Sequence, residues 1–373
     1  MSPDDAVLSF ENVTKRFGQR VAVDAVDFAL TRGRTLGLVG ESGSGKTTCI
    51  RLALGLERAT SGTVFFRGVR LGRSRRSLRP VRKQLGFVFQ DPYDSLDPRM
   101  TLERIVGEPL KIHGVRRSER SERVRAALSD VGLPDAPLDS YPARFSGGGR
   151  QRIAIARALV MQPSALLCDE PTASLDVSVQ AQIVNLLLSL KQARGLSMIF
   201  VSHDLGLVRR IADDIVVMYG GRVVEAGSAA GIYERPRHPY TAALLAAVPG
   251  EHPRRRRITS ARRAIGEASG SPAVDSEPPA ADVTGCVFAA RCPRADRSCR
   301  TTRPALELLP DGRKVACFFP VGEEGTSDAA SGPADGGEVV PAVPVGPLSA
   351  HMQGAAGVSG GAAVTSGVDV SLD

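Results

Sequence analysis

Gly40-Glu41-Ser42-Gly43-Ser44-Gly45-Lys46-Thr47, directly after the apolar run Thr35–Val39, decides how this chain is read. The pattern G-x-x-x-x-G-K-[ST] between a strand and a helix builds a loop for a phosphate chain. Its glycines let backbone N–H groups approach the anion at a helix N-terminus. Here the N–H groups of Gly43, Gly45 and Lys46 are expected to cradle a β-phosphate. The Lys46 ammonium would reach the β- and γ-phosphates and the Thr47 hydroxyl would ligate Mg²⁺, with Thr48 next in the same turn. One such loop implies a nucleotide and no more.

Two distant segments narrow the chemistry. Ser146-Gly147-Gly148-Gly149-Arg150-Gln151-Arg152 is a glycine-rich turn opening onto a helix-like run at 153–159. Asp169-Glu170 follows the apolar run 165–168 and precedes Pro171-Thr172-Ala173-Ser174-Leu175-Asp176. A carboxylate at the end of a buried strand needs a cation or donor, and Asp169 would meet that need by holding a Mg²⁺-bound water. Glu170 beside it can orient and deprotonate an attacking water. Ser146 with the N–H groups of Gly147 and Gly148 forms a second anion site at a helix start.

The hydrophobic pattern alternates strands with helices. Strands are expected at 7–13, 20–30, Thr35–Val39, 85–89, 165–168, 198–201 and 215–218, with a hairpin strand at 222–225 after Gly220-Gly221. Helices are expected at 47–56, Leu102–Ile112, 119–131, 151–160 and 178–193. No buried-strand run interrupts 101–161. The fold class is therefore α/β, a mostly parallel sheet with helices on both faces, an antiparallel β flank and a helical insertion at about 91–157. The domain plan is a nucleotide-binding domain at 1–249, a basic linker at 250–283, a cysteine module at 284–320 and a low-complexity tail at 321–373.

The 373 residues can hold one or two domains, and the net charge is +8. Basic residues concentrate at 73–83, 116–125 and 254–263 without interleaved aromatics to stack bases. The expectation is a solvated or lipid-facing surface rather than a nucleic-acid site. No signal peptide or spanning helix is expected, since the longest uncharged stretch, 339–368, is broken by Pro341, Pro344 and Pro347. Any membrane role then comes through partners. Cys49 and Cys168 lie in apolar runs and are expected in the core.

The order of these motifs resembles the ATPase subunits of ABC (ATP-binding cassette) transporters, over about residues 7–320. The resemblance implies the P-loop NTPase core of ABC type and carries further residues with it. Gln90 would contact Mg²⁺ and water and sense the membrane partner. His203 would contact the γ-phosphate, Asp176 would lie at the dimer contact, and Phe17 would stack on adenine. It also implies that Ser146, Gly147 and Gly148 face the γ-phosphate held by the opposite subunit, so that two ATPase chains complete each other's sites. Gly149 departs from the family, where Gln stands. The extra glycine is expected to loosen the helix start by roughly 0.5–1 kcal/mol against Ala.

Three stretches resemble the oligopeptide/dipeptide permease ATPases. They are Gln90-Asp91-Pro92-Tyr93-Asp94-Ser95-Leu96-Asp97-Pro98-Arg99-Met100, Arg237-His238-Pro239-Tyr240-Thr241, and Gly285-Cys286-Val287-Phe288 with Arg291-Cys292-Pro293, Cys299 and Cys317. The first is closer to the second of the paired ATPases of such permeases, which favours a heterodimer over a homodimer. The resemblance implies ATP hydrolysis with Mg²⁺, driving peptide import through two transmembrane permease subunits fed by an extracytoplasmic solute-binding protein. The place would be the cytoplasmic face of the inner membrane. Nickel or metal chelates remain open as solutes. So do, from other classes, a soluble ATPase acting on nucleic acid or ribosomes and a redox-responsive protein working through its cysteines. Cys286, Cys292, Cys299 and Cys317 lack the close Cys-x₂₋₄-Cys pair of structural zinc. Their wider spacing is compatible with a [4Fe–4S] cluster, the resemblance points the same way, and unligated cysteines remain the alternative.

Overall fold

A computed structural model describes residues 5–72, 74–247 and 284–322. The linker, the basic run 254–263 and nearly all of the tail read from the sequence lie outside the described residues.

The central sheet is built from short apolar strands whose alternate side chains feed two cores. β3 (Thr35–Val39), β6 (Leu85–Val88), β7 (Ala165–Asp169), β8 (Ser197–Val201) and β9 (Asp214–Tyr219) run parallel in the order β9-β3-β8-β7-β6. Successive strand side chains point to opposite faces. Ala165 and Leu167 therefore join one core with Ile199 and Val201, while Leu166 and Cys168 join the other with Met198 and Phe200. Burial on both faces is why these strands read as continuous apolar runs.

On the first face lie α1 (Lys46–Ala53) and an antiparallel flank, in which β1 (Ala6–Phe17) pairs with β2 (Arg20–Thr31) and β4 (Ser61–Phe66), and β4 with β5 (Val69–Arg70). α1 is shorter than the sequence suggests. It stops at Leu54, because Gly55 takes φ 62° and turns the chain. The sequence pattern marked neither β4, β5 nor the helix α2 (Arg75–Gln84). In α2 only Leu78 is buried, so a single apolar contact left no period to read.

Between β6 and β7 the described chain is helical. A short turn α3 (Pro92–Ser95) precedes α4 (Leu102–Ile112), α5 (Arg117–Asp130) and α6 (Gly147–Leu159). These pack through Ile105, Val106, Leu110, Val124, Leu128 and Ile153. α7 (Val177–Arg194) and α8 (Leu205–Ile211) cover the same face of the sheet.

The C-terminal residues are part of the same sheet. β10 (Arg222–Ser228) forms the expected hairpin with β9, through Gly220 and Gly221 at φ 54° and 81°. After α9 (Ala229–Glu234), α10 (Pro239–Ala246) and α11 (Arg297–Thr301), β11 (Glu307–Leu308) and β12 (Lys314–Val315) extend it, β12 pairing Val315 with Glu225. Buried Glu225 accepts from the Arg237 and His238 N–H groups, each at 2.8 Å. Arg313, equally buried, donates to Gly231 O at 2.8 Å and to Arg235 O. Cys49 and Cys168 are core residues, and burial pushes the Cys49 thiol up to about 12.

Candidate nucleotide site

The phosphate loop joins β3 to α1 in a shape that only glycine allows at its ends. Gly40 and Gly45 take φ 149° and 103°. A Cβ would lie 2.1 Å from Met218 O at the first and 2.5 Å from Ala22 O at the second. Lys46 is 5 % exposed, and its Nζ donates to Gly40 O and Glu41 O, both at 2.8 Å. Burial lowers its pKa, against the opposing pull of Glu170, Asp169 and Glu41.

Asp169 ends β7 opposite Thr47, whose hydroxyl donates to Asp169 Oδ1 at 3.2 Å. Burial raises the Asp169 pKa most; the Thr47 bond opposes this. A buried, ionisable carboxylate touching a hydroxyl is a donor set suited to Mg²⁺, which takes oxygen ligands and keeps several waters.

Glu170 occupies the left-handed region at φ 46°, an uncommon conformation for a residue with a side chain. Its N–H donates to Val201 O at 3.0 Å, which anchors the turn to β8. Gln90 Nε2 donates to Glu170 Oε2 at 3.3 Å, and His203 Nδ1 lies 3.1 Å from the same oxygen. An ionised carboxylate only accepts, so the His203 proton sits on Nδ1 in this contact. Gln90, Glu170 and His203 come from the ends of three adjacent parallel strands, the face where ligands bind in open α/β sheets.

The glycine-rich turn is separate in character. Ser146 caps α6, its Oγ accepting from the Gly149 N–H at 3.2 Å. A Cβ at Gly148 would lie 2.7 Å from Val179 Cγ1, so α6 and α7 approach closely there. Asp176 precedes α7 without a side-chain cap bond. Phe17 is 43 % exposed with the Lys15 ammonium 4.5 Å from its ring centre.

These residues sit in a chain whose relatives are known. Residues 23–173 match the family described as ABC transporter, and residues 224–299 match the oligopeptide/dipeptide transporter C-terminal region. A putative peptide import ATP-binding protein of Brucella ovis is 44% identical over 318 residues, which is 84% of this chain and 97% of that one. The chain belongs to the ABC transporter ATP-binding subunits, in their oligopeptide/dipeptide permease family. Oligopeptide transport ATP-binding protein OppF of Escherichia coli is 46% identical over 289 residues, 77% of this chain and 84% of that protein. Among solved structures, the dimeric post-hydrolysis state of the ATP-binding cassette MJ0796 with ADP and Pi superposes at a TM-score of 0.54. It is 29% identical and covers 60% of this chain and 98% of that one. This ABC subunit is an ATPase with the fold expected of the family, and ATP and Mg²⁺ go with it. Among the described residues no helix is long and apolar enough to cross a membrane.

The four C-terminal cysteines converge on one small pocket, which they line with His238 and Phe288. Burial first, then the nearby thiols of Cys286, Cys292 and Cys299, push Cys317 up to about 11. Among the described residues, no group of three or more His, Cys, Asp or Glu side chains is set to hold a metal ion. Four thiols are the donor type of an iron–sulfur site, but the described geometry does not gather them into a ligand set.

Sequence reasoning missed the contacts of Tyr240 and Arg291 with Glu41, which are 199 and 250 positions apart in sequence and leave no local signal. Arg291 lies within the motif Arg291-Cys292-Pro293, where only the cysteine has a recognisable chemical signature.

Proposed function

We propose that this ATPase drives import of di- and oligopeptides through two membrane permease subunits supplied by an extracytoplasmic binding protein. It would work at the cytoplasmic face of the membrane. The observation that carries the chemistry is the convergence of Gln90 and His203 on Glu170, the residue after Asp169, which Thr47 touches. The peptide assignment is supported by the relatives' names and the C-terminal match.

Both contacts to Glu170 fall on Oε2, which leaves Oε1 to take the proton of the attacking water. Gln90 and His203 hold that carboxylate in place. On binding, the γ-phosphate competes with Gly40 O and Glu41 O for the Lys46 ammonium. Thr47, Asp169 and Gln90 would hold Mg²⁺, which neutralises charge developing on the phosphate oxygens. Phe17 offers its exposed ring to adenine, and the loop residues Gly40, Glu41, Ser42, Gly43, Ser44, Gly45 and Thr48 frame the phosphates. Ser146, Gly147, Gly148 and Asp176 would serve the ATP of a partner ATPase, arranged head to tail. The sequence at 96–100 favours a heterodimer.

A groove of about 940 Å³ beside Gln90 is lined by Phe87, Phe89, Pro109, Arg157 and Met161. It gives a permease segment direct access to the glutamine that touches the catalytic base. The same reading assigns a [4Fe–4S] cluster to Cys286, Cys292, Cys299 and Cys317. Its supports are the shared pocket and the absence of a zinc-type cysteine pair. Burial raises the thiol pKa of Cys286, Cys292 and Cys317, so loading would release protons.

The deciding experiment is reconstitution with two permease subunits, a partner ATPase and a solute-binding protein. ATP-dependent peptide accumulation in vesicles is expected, and ATPase activity that responds to a metal chelate but to no peptide would overturn the assignment. Anaerobic protein should carry about four irons per chain and absorb near ~400 nm. One zinc, or neither metal, would remove the cluster from the proposal.

A further inference from the structure

The phosphate loop is braced from outside the ATPase core by the cysteine module. Arg291, next to Cys292, donates from one guanidinium nitrogen to Glu41 Oε1 at 3.1 Å, Glu41 Oε2 at 3.0 Å and Tyr219 Oη at 3.2 Å. The guanidinium lies over two rings, Tyr219 at 5.7 Å and Phe288 at 5.8 Å from their centres. The same aromatic group reaches the loop backbone, since the Glu41 N–H donates to Tyr240 Oη at 2.9 Å. Tyr240 and Phe288 are each 2 % exposed, and their rings pack 5.4 Å apart. The brace is therefore one aromatic cluster with Arg291 on its outer edge.

Glu41 is an awkward residue for an anion site. It places a carboxylate directly after Gly40, in a loop built to receive a polyphosphate, and like charges near one another oppose binding. Lys46 already serves Gly40 O and Glu41 O through the backbone and does not bond the Glu41 side chain among the described residues. Arg291 is the cation that does.

We propose that Arg291 is a positioning residue for nucleotide binding. It clamps and neutralises the Glu41 carboxylate, so that the phosphate loop meets ATP without an uncompensated negative charge beside it. The cysteine module thereby sets the affinity of a site 250 positions away in sequence. The inference rests on the reading of residues 40–47 as the ATP site, and its test separates the two.

The test is titration of the full chain with Mg²⁺–ATP, for wild type, Arg291→Ala, Arg291→Lys, the double variant Arg291→Ala/Glu41→Gln, and Lys46→Ala. Arg291→Ala is expected to raise the Kd about fivefold, the upper range for a partly exposed ion pair. Arg291→Lys should recover part of this, because an ammonium keeps the charge and loses the planar fork. The double variant should return most of the affinity, because the carboxylate that Arg291 neutralises is gone. A merely structural role would not be rescued by altering Glu41. Unchanged affinity in Arg291→Ala, or a double variant as weak as Arg291→Ala, overturns the proposal. Undiminished affinity in Lys46→Ala would overturn the site reading itself.

Discussion

The two halves of the nucleotide machinery are built differently within one chain. The phosphate-loop half is closed on itself: Lys46 is held by loop carbonyls, Thr47 touches Asp169, and Glu170 is gripped by Gln90 and His203. The glycine-rich turn at 146–149 is capped only within its own helix start, through Ser146 and Gly149. A half that satisfies its own groups can be set by one chain's fold. On the proposed reading, a half that presents a helix N-terminus outward would serve an anion carried by another chain. The contrast predicts that substitutions in the first half act on chemistry and affinity within a chain, and substitutions in the second act across an assembly.

The largest effect is expected from Glu170→Gln, which keeps the shape and loses the base. Hydrolysis in the assembled complex should fall at least ~100-fold, the scale of lost general-base catalysis. ATP binding should persist, and the closed, ATP-bound dimer should accumulate on size-exclusion chromatography. Turnover near the wild-type rate would remove Glu170 from its role, provided the matching site of the partner ATPase is disabled in the same assay.

Asp169→Asn sharpens the comparison by separating stability from function. Burial raises the Asp169 pKa, so the folded chain binds that proton more tightly than the unfolded chain does. Stability then falls as pH rises through the window from the ordinary carboxylate value up to the raised one. At neutral pH the ionised group is a cost until a cation arrives. The asparagine variant without nucleotide should therefore melt about 2 °C higher at pH 7, with the gain vanishing below pH ~3.9. Mg²⁺-dependent hydrolysis should be lost. A lower melting temperature at pH 7 would show that the ionised carboxylate is already compensated in the folded chain.

The smallest effect is expected at Gly149. A Cβ there would sit 3.1 Å from Phe145 Cβ, so the half-buried Phe145 must yield by a few tenths of an ångström. Against this, replacing glycine near a helix start contributes roughly 0.5–1 kcal/mol. Gly149→Gln should thus leave assembly intact and ATPase activity equal or higher by up to about twofold. A large fall in turnover would show that the turn needs glycine at this position, and that the outward half is less tolerant than its open geometry suggests.

Much of this molecule was legible in the residues. Strands 35–39, 165–169 and 197–201 could be read because both their faces are buried, and their motifs sit where parallel strands end. β4 and α2 were not legible. β4 is half exposed with Gly62 inside it, and α2 buries one side chain on an otherwise basic surface. Gln90 and His203 were marked by the family resemblance, not by their local pattern. That both touch the same Glu170 oxygen could not be read, because it depends on how three strands are ordered in the sheet.

By itself the sequence determined the local chemistry: a phosphate loop forced by glycines at positive φ, a carboxylate pair at a strand end, and a helical stretch with no buried strand. Those properties depend on neighbours within a few positions, which share strands, turns and helix faces. Tertiary structure alone decided that residues 284–322 complete the central sheet through Val315 and Glu225, and that four scattered thiols share one pocket. It alone brought Arg291 to Glu41. Contacts across such separations are selected by the packing of whole layers, and no periodicity or spacing along the chain encodes which side chains will meet.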